Sequence, residues 1–142
     1  MFSFNRLLVI VVILVFSLIL PAAGQSKNKD PQGQQEVFKF LKMIDKGDYA
    51  ASYELTSTYF KGVLSQAKWV ESLNGARRPL GSLVSRHITE SERHTSLPGA
   101  PDGLYLVFTL KSSFQHKKTA TETVTLQQEK DGSLKVAGYY IR

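Results

Sequence analysis

The chain has 142 residues, a formal net charge of +6 and no cysteine. That length suits one domain of ordinary size. The missing cysteine excludes a disulfide framework, a lipid-modified cysteine anchor and thiolate metal sites. The positive excess is dispersed over Lys27, Lys29, Arg77-Arg78 and Lys117-Lys118, without a basic block. It argues for solubility or contact with anionic surfaces, and against a nucleic-acid partner.

Arg6 opens the chain with a positive charge, and Leu7–Leu20 is an apolar run broken only by Ser17. Pro21 ends it, and Ala22-Ala23-Gly24 supplies the small residues a signal peptidase reads. This is the pattern of a secretory signal over residues 1–24. The run of 14 residues falls short of the roughly 20 a membrane-spanning helix needs. Cleavage near Gly24 is expected, which leaves a mature chain of net charge +5 in the periplasm or outside the cell. The alternative is a retained anchor lengthened by Phe2 and Phe4, and only that segment would touch a membrane.

Gln25–Gln34 is polar, with one Pro and one Gly, and reads as a flexible linker ahead of a domain over 35–142. Val37, Phe40, Leu41 and Ile44 form the apolar stripe of a first helix, stopped by Gly47. Asp48 is placed to cap a second helix through Tyr49, Ala50, Tyr53 and Leu55. Ser65 is placed to cap a third, which carries Trp69, Val70 and Leu73 and ends at Asn74-Gly75. Trp69, Tyr49, Tyr53 and Phe60 read as packing between these helices.

The period then changes from helical to alternating. Val84, Arg86 and Ile88 alternate with Leu83, Ser85 and His87. Leu97–Gly103 is a stiff turn opening into a strand from Leu104 to Leu110, with Leu104, Leu106, Phe108 and Leu110 on one face. Thr121–Gln128 sets Thr121, Thr123 and Thr125 against Glu122, Val124 and Leu126. Asp131-Gly132 marks a turn, and Leu134–Arg142 is the last strand. Helices followed by a meander predict an α+β domain, its helices packed on a curved antiparallel sheet of four or more strands.

Several segments, in this order, resemble one bacterial envelope family, the domain of unknown function 4019. They are Asp45–Ser52, Trp69, Arg78-Pro79-Leu80-Gly81 with Arg86, Leu97–Gly103, Glu122–Leu126 and Val136–Arg142. Leu104, where relatives often carry a polar residue, departs from the pattern without displacing it. The resemblance implies an envelope location and no assigned activity. It also implies a likeness to the cone-shaped NTF2-like α+β folds, which by itself licenses no chemistry.

Arg86 stands out among the candidate site residues. By parity it lies with Val84 and Ile88 and points toward the helices, and Glu122 lies with Val124 and Leu126 on the same inner side. Buried charges must be paired, so the two are expected to meet across the sheet. Either they form a structural ion pair, or Arg86 lines a pocket that grips a carboxylate or phosphate with its planar fork. Parity sets Tyr140 with Val136 and Gly138 as a possible wall of such a pocket, and Tyr139 on the outer face.

His87, His94 and His116 lack metal-ligand spacing, so no metal and no cofactor are expected. Asp45, Asp48 and Asp102 form no visible dyad with a histidine, and no nucleophile elbow or phosphate loop occurs. Arg77-Arg78 reads as a solvated loop pair. The function that fits is a non-catalytic binding or interaction module, its partner a small molecule or an envelope protein. The alternative is a small cavity-based hydrolase or isomerase. A homodimer through an outer face of Thr121, Thr123, Thr125, Lys135 and Tyr139 is a third arrangement.

Overall fold

The computed structural model describes residues 30–142. The expected signal segment lies outside the described residues. Helix α1 spans Pro31–Asp45, and the Asp30 side chain accepts the Gly33 amide at 2.9 Å as its N-cap. Pro31 suits this place because its missing N–H would have no partner in a first turn. The stretch Pro31–Gln34, read as linker, is therefore the start of the helix.

Four α-helices precede the sheet instead of three. Helix α2 covers Tyr49–Tyr53, α3 Thr58–Val63 and α4 Gln66–Ala76, and a 3-10 turn follows over Arg78–Leu80. The additional helix, α3, starts where Ser57 accepts the Phe60 amide at 3.1 Å. Ser65 caps α4 in the same way, as expected. Asp48 stands at the N-cap position of α2, but its side chain makes no capping bond. Asn74-Gly75 does not end α4, which continues one residue further to Ala76.

The strands are β1 (Leu83–His94), β2 (Tyr105–Phe114), β3 (Lys117–Gln128) and β4 (Leu134–Ile141). They form one open antiparallel sheet in the order β1-β2-β3-β4. The β1–β2 connection holds Leu97–Gly103, pinned where Tyr59 donates to the Gly99 carbonyl at 2.8 Å and Tyr105 to that of Pro101 at 2.5 Å. One sheet face buries Leu106, Phe108, Leu110, Val124, Leu126 and Val136 against Val37, Phe40, Leu41 and Ile44 of α1. At Gly33 α1 lies tight against the sheet, since a Cβ there would lie 2.8 Å from the Phe108 ring. Trp69 packs edge-on against Phe60 and donates its indole N–H to Ser52 at 2.9 Å.

Of the four register shifts in the sheet, those in β1 and β4 bear on the site residues. In β1 the register shifts between Leu83 and Ser85, and Val84 is left 69% exposed. A second shift lies between Ile88 and Glu90. In β4 the shift falls between Val136 and Gly138, which pair with Leu126 and Thr125. Bulges of this kind insert one residue and reverse the alternation beyond it. Tyr139 therefore pairs with Val124 and turns inward, while Tyr140 pairs with Thr123 and is 58% exposed. The two tyrosines thus exchange the faces that strict parity assigned to them.

Candidate functional site

A cluster of charge lies buried between the end of α1 and the sheet. Arg86 comes from β1, Glu122 from β3, Ser112 from β2, Tyr139 from β4, Asp45 from the last turn of α1 and Arg77 from just beyond α4. Arg86 donates through Nε to Glu122 Oε1 at 2.6 Å and through Nη2 to Oε2 at 3.1 Å. It donates again to Asp45, from Nη1 to Oδ2 at 2.7 Å and from Nη2 to Oδ1 at 3.0 Å. The expected meeting of Arg86 and Glu122 is present, and Asp45 makes it a triad.

Glu122 is fully buried and its hydrogen-bonding capacity is filled. Oε1 also accepts from the Ser112 hydroxyl, and Oε2 accepts from Tyr139 at 2.5 Å. Four donors thus occupy the roughly four lone-pair sites of a carboxylate. Arg77 joins at the rim, giving Nη2 to Asp45 Oδ1 at 3.2 Å and Nη1 to the Gly81 carbonyl at 2.7 Å. Gly81 adopts φ 76°, a conformation that L side chains rarely take. The Arg77 guanidinium lies 4.4 Å from the centre of the Phe114 ring, and its buried Nε has no acceptor among the described residues. Arg77 is thus buried, not solvated in a loop.

Two carboxylates and two guanidiniums leave this cluster with no formal net charge. Burial works against the charge on Arg86, but the hydrogen bonds it donates to Asp45 and Glu122, with their negative charges, outweigh it and hold its pKa above the usual guanidinium value. Burial raises the Tyr139 phenol well above its ordinary range, and the charge and hydrogen bond of Glu122 act in the same direction. Tyr140, the third expected site residue, lies on the opposite sheet face and does not meet the cluster.

Asp45, Arg77, Ser112 and Tyr139 are the members that sequence reading misses. Asp45 continues the α1 stripe at i+8 from Val37 and i+4 from Leu41, and Arg77 continues that of α4 at i+8 from Trp69 and i+4 from Leu73. A charge prolonging an apolar stripe was the available signal. For Tyr139 no local signal exists, because the β4 bulge alone turns it inward.

The cluster reaches solvent at Asp45, whose side chain is 20% exposed. There it borders a shallow groove of about 380 Å³ between α1 and β1, lined by Phe38, Lys42, Asp45, Leu83, Val84, Ser85 and Arg86. The histidines lie elsewhere, and His94 is bonded to Glu92 at 2.7 Å. Among the described residues no three His, Asp or Glu side chains group as metal ligands.

A model of the family described as Protein of unknown function (DUF4019) matches residues 36–139. The chain belongs to this family. Every member of the buried cluster falls inside the stretch that matches DUF4019. No curated protein sequence matches the chain. Among solved structures, a 2.5 Å structure from Catenulispora acidiphila is similar, with a TM-score of 0.51 at 12% identity. The similarity covers 79% of this DUF4019 chain and 88% of the other. At that identity the likeness speaks to the α+β fold alone and adds no NTF2-like assignment.

Proposed function

We propose that the chain is exported and acts as a non-catalytic interaction module of the bacterial envelope. One observation carries the non-catalytic half. The Glu122 carboxylate is saturated by four donors, and Arg86 spends four hydrogen bonds on Glu122 and Asp45. Groups bound so fully to each other are not free to move a substrate proton or grip a substrate anion. The arrangement supports a structural role for the charges, with recognition left to the molecular surface.

Export is supported by Arg6, the apolar run Leu7–Leu20 and the small residues Ala22-Ala23-Gly24, together with the lack of cysteine. Among the described residues no helix is long and apolar enough to cross a membrane. Mass spectrometry of the protein from fractionated cells tests the proposal. The expected N-terminus is Gln25, in the envelope or secreted fraction; an intact Met1 in the cytosol or the membrane overturns the assignment.

A further inference from the structure

We propose that the open edge of β1, with the groove it shares with α1, takes an extended segment of another protein as an added strand. An apolar side chain of that segment sits between Phe38 and Val84, and a carboxylate lies beside Lys42. The proposal names the partner class of the interaction module above and rests on that reading.

The two edges of the sheet are treated differently. At β4 the residues beside Thr56 cover the edge at Val136: the Ser57 amide donates to the Val136 carbonyl at 2.7 Å, and the Val136 amide to that of Leu55 at 2.9 Å. At β1 no described segment makes backbone hydrogen bonds to the outer side of Leu83–Ile88. Alternate N–H and C=O groups on such an edge point away from the sheet and template another strand. The bulges bound this stretch, leaving Ser85–Ile88 in regular register.

The side chains beside that edge define what fits. Phe38 is 43% exposed and Val84 is exposed further, and both line the groove. The charged cluster at its floor is formally neutral, so Lys42, with no ion-pair partner among the described residues, gives the groove a surplus positive charge. An extended peptide with an apolar residue and a nearby acidic one satisfies the edge, the apolar rim and the lysine together. A second copy of this chain fits less well, because two exported chains of net charge +5 repel.

Fluorescence anisotropy with two labelled hexapeptides, Thr-Val-Thr-Val-Thr-Glu and Thr-Val-Thr-Val-Thr-Lys, tests this on the exported chain. The glutamate peptide should bind roughly three-fold more tightly than the lysine peptide, the scale of one exposed ion pair. Lys42→Glu should reverse that preference, and Val84→Lys should remove binding while circular dichroism stays unchanged. Amide exchange should slow at Ser85–Ile88. Absence of binding up to about 1 mM, the weak end of measurable affinity, or protection on β4 instead, overturns the proposal. A dimer dissolved by Val84→Lys also overturns it, since a second copy would then hold the edge. Failure of the peptides with Gln25 still the N-terminus refutes this inference and leaves export standing.

Discussion

Glu122 has no exposed surface and no unfilled lone pair, so each of its partners is separately testable. Arg86→Met strands two carboxylates and should cost about 3–5 kcal/mol, the usual penalty for breaking a buried pair. Combined with Glu122→Gln the losses should fall short of their sum by about 1–3 kcal/mol in a thermal double-mutant cycle. Tyr139→Phe removes one hydrogen bond to a charged group and should cost about 1.5–3 kcal/mol. Tyr140→Ala, on the exposed face, should stay within about 0.5 kcal/mol. Equal losses at the two tyrosines would contradict the β4 bulge.

The same phenol predicts a pH dependence. Burial, with Glu122, raises the folded Tyr139 well above its ordinary value of 10.0. Its proton is therefore held more tightly in the folded than in the unfolded chain, and this contribution is complete below about pH 10. It is lost as the pH climbs from there toward the folded value. Melting temperatures measured from about pH 8 upward should hold and then fall above pH 10, where the unfolded phenol ionises. Tyr139→Phe should flatten that fall without abolishing it, because burial also raises Tyr49 and Tyr105.

Among the elements, periodicity was a sound guide wherever the backbone stayed regular. The α1 stripe, the even-numbered residues of β2 and the inward Glu122 all follow from it. Parity also sent Arg86 inward, although it grouped Arg86 with Val84, which lies at a bulge and is exposed. Insertions such as these depend on how one strand pairs with the next, so no residue pattern within a single strand announces them. The contact of α1 with β2 was equally illegible, since Gly33 reads as a linker glycine until Phe108 is set against it. Gly33→Ala gains up to about 1 kcal/mol in helix propensity but forces the Phe108 ring and Leu106 to move. Overpacking should prevail, with a net loss of about 1 kcal/mol by chemical denaturation; a stabilised variant would show that the helix can lift away.

At the scale of the molecule, helices followed by a four-stranded meander were readable because each strand pairs with its neighbour in sequence. The charged cluster was only half readable. Its charged sheet members, Arg86 and Glu122, are marked by polarity at inward positions, but Asp45 and Arg77 stand where helices end and surface turns are the ordinary expectation. Their burial depends on a meeting of α1, α4 and β1 that no single segment encodes.

That meeting also sets an order of events for a chain made from its N-terminus. Asp45, Arg77 and Arg86 are synthesised well before Glu122, which lies 36 residues beyond Arg86, and Tyr139 follows 17 residues later still. Until those residues emerge, the early charges keep their water and the inner face of the sheet cannot seal. A chain truncated before Tyr139 lacks the last donor to Glu122, and it should be cleaved by protease faster than the full chain.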